Sequence, residues 1–331
     1  MTDRLVLVTG ATGYVGSVLT PLLAQSCSVR AFDTEAFGNS IVGTPNVEFV
    51  KDDIRDWEAV SRALEGVTDV IHLAGIVTDD LVAMNPKLGQ WVNNGAMGFL
   101  CAEAAKHGIR RFVYASSSSI YGTHESSGVQ HHLRGCSEKC EPAPMTEYAR
   151  QKLLGEEILN RYKDSMAVVS IRSATACGPA PRMRMDTIVN TFSAQAYFAG
   201  EITVHGGRQW RTNIHVSDVA SLYCRLLEVP RLHSGQVYNA TAGNQTALEL
   251  AVLVAEVIPC KVTIDRSKKD DRHYRMSAGK LNRMSDWVPS LSIRQAVMDN
   301  LAWFQAGHIK DWQDDIYWNS RRMKNTMMGV V

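Results

Sequence analysis

Arg4-Leu5-Val6-Leu7-Val8-Thr9-Gly10-Ala11-Thr12-Gly13-Tyr14-Val15-Gly16 is the stretch whose reading decides the fold. Its first half is a short apolar run of strand character. Glycines at 10, 13 and 16 then lead into an amphipathic segment, Val15 to Leu23, so the spacing predicts a strand, a tight turn and a helix start. Gly10 permits a turn closed to side chains, Gly13 lets backbone N–H groups approach a pyrophosphate, and Gly16 lets the helix pack on the strand. A helix N-terminus offers phosphates its unpaired N–H donors and a partial positive charge. Gly10, Thr12, Gly13, Tyr14, Val15 and Gly16 are therefore the expected cofactor loop. A second apolar run, Ser28 to Asp33, ends in an acid about twenty residues beyond the glycines. A carboxylate there accepts hydrogen bonds from an adenosine ribose and repels a 2′-phosphate, which favours NAD over NADP.

Strands continue to alternate with helices along the chain. Val47 to Val50 is followed by Asp53-Ile54, which suits an adenine amino group and ring face; Asp56 or its neighbours open the next helix. Val67 to Ala74 reads as a strand whose end, Leu73-Ala74-Gly75, passes close to the cofactor. Trp91 to His107 reads as a helix with Asn93 near its start, placed either to hold the central strands or to contact the cofactor. Arg111 to Ala115 is a buried strand running into Ser116-Ser117-Ser118-Ser119, and Thr146 caps a helix carrying Tyr148 and Lys152. The alternation predicts an α/β fold with a doubly wound, Rossmann-type parallel sheet. From Ala180 the rhythm changes, with a helix from about Asp186 to Ala199 and a short strand from Ile202 to His205. The expected division is a dinucleotide-binding domain of residues 1–177 plus about 212–242, interleaved with a smaller substrate domain of 178–211 plus about 243–331.

Composition narrows the function classes. Thirty-five Lys and Arg against thirty-four Asp and Glu leave a net charge of +1 with no long run of either sign, which argues against a nucleic-acid face or a polybasic membrane anchor. The first residues run straight into a strand, and no apolar run reaches the roughly 18 residues of a membrane span, so a cytoplasmic protein is expected. Seven cysteines spread over the whole chain fit reduced thiols better than a disulfide framework. His131, His132, Cys136 and Cys140 have soft-metal ligand types, but their spacing matches none of the common zinc sites, and no metal is expected.

Tyr148, Lys152 and a serine from 116–119 make a proton-transfer set. Tyrosine and lysine four apart share a helix face. A phenol of pKa near 10 needs about 4 kcal/mol of help to act as a base near neutrality, and a lysine ammonium with a positive nicotinamide ring can supply it. A neighbouring hydroxyl can share the proton or hold the substrate oxygen.

GATGYVG, HLAG, SSSSIYG, YARQK and the later QWRTNIHVSDVA together resemble the extended short-chain dehydrogenase/reductases that act on nucleotide sugars, over nearly the whole chain. The resemblance implies Ser117 as the catalytic hydroxyl, Tyr148 as the acid/base, and Lys152 as the group that holds the nicotinamide ribose and lowers the tyrosine pKa. Arg211 is similar to the arginine that grips the sugar-nucleotide phosphates, for which bidentate recognition suits arginine. Ser118, Ser119, Thr175, Arg182, Arg184, Gln209 and Arg272 are further substrate-side candidates, with Arg266 a weaker one. The resemblance also implies a homodimer through the helices near 91–107 and 146–163.

Departures from the family pattern restrict the reaction. Ser118 and Ser119 stand where sugar 4,6-dehydratases carry an Asp-Glu pair, where decarboxylases want a glutamate and where 3,5-epimerising enzymes want a cysteine. Thr175 replaces the usual asparagine before Gly178-Pro179. What remains is hydride chemistry at a sugar carbinol: a 4-epimerase that retains NAD, or a reductase of 4-keto sugars using NAD(P)H. Asp33 favours the first. A cofactor-binding sensor would have no need of the Ser117-Tyr148-Lys152 relay.

Overall fold

The computed structural model describes residues 4–122, 135–229, 234–267 and 273–328. The strands are β1 (Leu5–Thr9), β2 (Ser28–Asp33), β3 (Val47–Lys51), β4 (Asp69–His72), β5 (Arg111–Ser117), β6 (Ala167–Ser173), β7 (Thr175–Cys177), β8 (Glu201–His205), β9 (Trp210–His215), β10 (Gln236–Ala240), β11 (Gly243–Thr246) and β12 (Lys261–Asp265). The helices are α1 (Gly16–Leu23), α2 (Trp57–Ala63), α3 (Asp79–Met84), α4 (Pro86–Gln90), α5 (Ala96–Lys106), α6 (Glu147–Asn160), α7 (Ile188–Ala194), α8 (Val216–Glu228), α9 (Ala247–Val257), α10 (Gly279–Ser285), α11 (Ile293–Gln305) and α12 (Asn319–Met328).

Seven strands pair in parallel in the order β10-β6-β5-β4-β1-β2-β3, the doubly wound sheet that the alternation predicts. Successive residues of β1 face opposite sides: Val6 and Val8 join a core with Leu19, Leu23, Leu222 and Leu226, while Leu7 joins another with Val60, Leu100 and Phe112. Both faces are covered by helices, which is why β1 reads as an unbroken apolar run. The strand order reverses between β1 and β4, so a crevice opens at their carboxyl ends, beyond Thr9 and His72.

The chain leaves this sheet after β6 and returns to it through α8, which packs on the same face as α1, and through β10, which pairs with β6. The remaining strands form small sheets, β11-β9-β7 and β12-β8, under a core of α7, α9 and α11 residues such as Val189, Leu250, Val254 and Val297.

Two helices differ from their expected form. Residues 91–107 begin with one π-turn, Trp91–Gly95, before α5. The wider turn carries Asn93 and Asn94 onto α6, where Asn93 Nδ2 donates to Gln151 Oε1 at 2.9 Å and Asn94 Nδ2 to Gln151 O at 2.8 Å. The helix expected from Asp186 starts only at Ile188, because Asp186 pairs with Arg184, and it ends in a second π-turn, Gln195–Ala199. Among the described residues, no helix is long and apolar enough to cross a membrane.

Candidate active site

The glycine loop has the geometry its spacing predicts. Gly10 sits at φ +74°, and a Cβ there would lie 2.7 Å from the Ala74 nitrogen; one on Gly16 would lie 2.2 Å from the Gly10 oxygen. Any larger residue at either position would push β1, β4 and α1 apart. Asp33 closes the loop from β2: Oδ2 accepts from Thr12 N at 3.1 Å and Oδ1 from Glu35 N at 3.0 Å. Burial raises its pKa and these hydrogen bonds oppose the rise. The Thr12 side chain and the Thr34 backbone also bond it, so a ribose hydroxyl would share or replace one of these partners.

The loop opens into a cavity of about 1200 Å³. That exceeds the ~300–1,000 Å³ of ordinary small-molecule sites and leaves room for two ligands end to end. Gly10, Thr12, Gly13, Tyr14, Val15, Gly16, Asp33, Asp53, Ile54, Leu73, Ala74 and Gly75 all line it. Asp53 is held by Arg55 at 2.7 Å, and the cap of α2 is Asp56, which accepts from Ala59 N at 2.9 Å. Asn93 does not line the cavity. Its Oδ1 accepts from Ile76 N at 2.8 Å and its Nδ2 donates to Ile76 O at 3.1 Å, so it braces the segment after Gly75 against α6; of the two roles open to it, the structure shows the bracing one. A backbone cradle that no Cβ could enter, with a carboxylate one strand away, fits a dinucleotide.

The proton-transfer set meets at the other end of this cavity. Thr146 Oγ1 accepts from Ala149 N at 3.2 Å and starts α6, which places Tyr148 in its first turn and Lys152 one turn later. Gly155 lets α6 lie close to β5, since a Cβ there would sit 2.4 Å from the Tyr114 hydroxyl. Lys152 Nζ donates to Ala115 O at 2.8 Å and lies 5.9 Å from the centre of the Tyr148 ring. Ser117, at the end of β5, hydrogen-bonds the Tyr148 phenol and accepts from Ser119 Oγ at 2.9 Å.

Burial pushes the Tyr148 phenol up to about 12, against the Ser117 hydrogen bond and the charge of Arg184. Burial also pushes the Lys152 ammonium down to about 8, opposed by Glu156. Desolvation therefore outweighs the lowering of the phenol expected from Lys152, and Arg184 is the cation that acts on it. Glu156 is itself fixed by Arg172, at 3.0 and 2.8 Å, and by Ser116 Oγ at 2.5 Å.

On the substrate side, Ser118, Ser119, Thr175, Arg182, Arg184 and Arg211 all line the cavity. Arg184 Nε pairs with Asp186 Oδ1 at 2.5 Å, and Arg211 Nη1 donates to Trp210 O at 2.8 Å. Gln209 does not reach the cavity. Its Oε1 accepts from Gly207 N and its Nε2 donates to His205 O, both at 2.7 Å, so it closes the turn at Gly206-Gly207, whose φ values of +74° and +105° need such a clamp. Arg182 lies over Phe37, within reach of the charges of Arg184, Asp186 and Asp33. Arg266 is exposed outside the cavity; Arg272, His131 and His132 lie outside the described residues. Cys136 and Cys140 are buried, and burial with the neighbouring Cys140 thiol raises Cys136 to about 12.

Sequence reasoning missed Tyr274, whose hydroxyl lies 3.1 Å from Ser118 Oγ, and Asn319 and Met323 of α12, which line the cavity from the far end of the chain. Tyr274 lies in an irregular segment where no periodicity marks a side chain as inward. The polar start of α12 reads as a surface helix.

Comparison with known proteins agrees with this geometry. An uncharacterized protein of Sinorhizobium fredii is 37% identical over 175 residues, 52% of this chain and 41% of that protein, so the match spans less than half the relative's length. The UDP-glucose 4-epimerase of Mycolicibacterium smegmatis is 27% identical over 315 residues, 90% of this chain and 98% of the relative. The crystal structure of Thermus thermophilus UDP-glucose 4-epimerase in complex with NAD is 26% identical and superimposes with a TM-score of 0.78, covering 91% of this chain and 99% of that one. Residues 6–241 match the NAD dependent epimerase/dehydratase family over the full Rossmann sheet and the Ser117-Tyr148-Lys152 set, and the chain belongs to that family of nucleotide-sugar enzymes, with NAD as its cofactor.

Proposed function

We propose that the protein inverts carbon 4 of a nucleoside-diphosphate sugar through a transient 4-keto sugar, without loss of water or carbon dioxide. The observation that carries this reading is the chemistry beside the catalytic hydroxyl: Ser118 and Ser119 bring hydroxyls to the cavity where elimination or decarboxylation would need a carboxylate. Tyr148 takes the proton of the carbon-4 hydroxyl while Ser117, bonded to the phenol, holds the sugar oxygen. NAD, when bound, accepts the hydride from carbon 4 and returns it. Lys152, fixed by Ala115 O, keeps a positive charge beside the phenol and holds the cofactor ribose. The keto sugar turns over within the cavity, and Tyr148 returns the proton to the oxygen once the opposite face is reduced.

Arg211 holds the substrate phosphates, and segments 178–211 and 243–331 supply the sugar-nucleotide side of the site. The protein works as a homodimer through the α5 and α6 helices. The exposed Trp57 of α2, stacked at 5.1 Å on Phe99, extends the apolar surface beside α5. The test is incubation with UDP-glucose, UDP-galactose, UDP-glucuronic acid and dTDP-glucose at catalytic NAD, followed by NMR of the anomeric and carbon-4 protons. A carbon-4 epimer without net NADH supports the reading. A 6-deoxy-4-keto product, or turnover only of a 4-keto sugar with stoichiometric loss of NADH, overturns it in favour of a dehydratase or a reductase.

A further inference from the structure

The adenosine end of the cavity is walled on one side by Asp33, Ala36 and Phe37, which follow β2, and on the other by Arg182, Asn319, Ser320 and Met323, which come from parts of the chain far away in sequence. Arg182 is 6% exposed, and its Nε has no hydrogen-bond partner among the described residues. Its guanidinium carbon lies over the Phe37 ring, 3.9 Å from the ring centre, and its Nη2 donates to Asn319 Oδ1 at 2.5 Å. Its backbone N–H donates to Ser17 Oγ on α1 at 3.3 Å, which puts the residue beside the phosphate-binding turn. Asp33 and Asp186 contribute favourable charge, and no carboxylate forms an ion pair with Arg182 among the described residues. A buried guanidinium that lines a cavity without an ion-pair partner is costly unless something anionic meets it.

Helix α12 meets the cavity wall through Asn319, Arg322 and Met323. Arg322 Nε donates to Ala36 O at 3.1 Å, and Met323 packs with Ile76, Leu81 and Val82. Apart from Met323, residues 319–324 of α12 are polar.

We propose that Arg182, held against Phe37 by Asn319, is a cofactor-holding cation, and that α12 is a strap across the adenosine half of the cleft which must lift for the dinucleotide to leave. Arg182 meets the anionic dinucleotide with its charge. Asn319 is a positioning residue that acts through Arg182. The inference rests on NAD occupying this cleft and is independent of which sugar reaction follows.

The experiment loads the full-length protein with NAD and follows its release into excess NADH by the fluorescence of the bound reduced cofactor. UDP affinity is measured in parallel by calorimetry. Arg182→Gln should release NAD at least tenfold faster, Asn319→Ala several-fold faster, and the double variant no faster than Arg182→Gln alone, because Asn319 acts through the arginine. UDP affinity should be unchanged in all three. NAD release unchanged in Arg182→Gln overturns the proposal. Weaker UDP binding with unchanged NAD release also overturns it and returns Arg182 to the sugar nucleotide. Additive effects in the double variant overturn the strap acting through Arg182. If Arg182→Gln does not fold, Arg182→Lys and Asn319→Ala carry the same comparison, and wild-type release rates in both reject the proposal. Failure of wild type to take up NAD at all would be a failure of the cofactor assignment and is seen before any variant is made.

Discussion

Tyr148 and Lys152 each carry a cost of burial that the rest of the site must use. A phenol pushed up to about 12 with Arg184 already acting on it stays protonated at neutral pH, so it needs the further positive charge of the oxidised nicotinamide before it can take a proton. Tyr148→Phe should keep NAD and lower turnover by about 10²–10⁴, the range for a lost general acid/base. Near-native turnover, with cofactor content checked by absorbance, would take Tyr148 out of the mechanism. Lys152 titrates in the folded chain near 8 instead of 10.5, so it carries its charge below about pH 8 and is neutral above it. If the ammonium holds the cofactor ribose, NAD affinity of the apoprotein falls as the pH rises through about 8, and Lys152→Met binds weakly with no such dependence. The stability effect runs the other way. Between about 8 and 10.5 the unfolded chain holds the lysine proton and the folded chain does not, so the cost of burying the ammonium is present below 8 and fades as pH rises. Equilibrium titrations of NAD from pH 7 to 9 on both proteins test the binding claim.

At the scale of elements, the proposed function assigns the β1 turn and strand β9 to different ligands. The first turn of α1 can approach β1 only because Gly16 lacks a side chain; Gly16→Ala places a methyl group 2.2 Å from the Gly10 oxygen, inside backbone contact distance. That variant should lose most NAD binding together with 1–3 kcal/mol of stability, about the cost of overpacking, and wild-type NAD affinity would show that the turn relaxes freely. Strand β9 carries Arg211, which lines the cavity. A charge-assisted hydrogen bond is worth about 1.5–3 kcal/mol, so Arg211→Ala should weaken UDP binding roughly ten- to a hundredfold and leave NAD binding unchanged. Paired titrations with UDP and NAD decide the point: equal UDP affinity in both proteins removes Arg211 as the phosphate grip.

For the whole molecule, the long route of the chain is what assembles the cavity. Residues from 10 to 323 line it, so neither the cofactor wall nor the sugar wall is complete without the other. Tyr14 joins the walls directly: its hydroxyl donates to Gly178 O at 2.5 Å and accepts from Asn190 Nδ2 at 3.0 Å, tying the glycine loop to α7. Away from the cavity, the exposed Trp57 and its stack on Phe99 lie on the α2–α5 side of the sheet. If that face pairs two copies, Trp57→Glu combined with Phe99→Glu should halve the mass measured by light scattering and leave the far-UV circular dichroism spectrum unchanged. A wild-type protein that already runs as a monomer at micromolar concentration excludes the dimer.

The sequence by itself determined the parallel sheet, the glycine turn, the Asp33 carboxylate and the Tyr148-Lys152 pair. Each is a local pattern: an apolar run between helices, a fixed glycine spacing, or two residues one helical turn apart, and local sterics and hydrogen bonding leave a chain with those patterns little choice. Only the tertiary structure decided which way each arginine turns. Arg182 and Arg184 are two residues apart on an irregular segment, yet Arg182 turns to Phe37 and Asn319 while Arg184 turns to Asp186 and reaches Tyr148 with its charge. Nothing periodic assigns those directions. Gln209 and Asn93 show the same limit, since a polar side chain in a ligand-binding region serves equally well to close a turn or brace a strand, and the choice depends on partners brought near by folding. Tyr274 and Asn319 entered the cavity wall from far along the chain for the same physical reason: burial of a side chain is a property of what packs over it, and that is fixed only when the two ends of the chain meet.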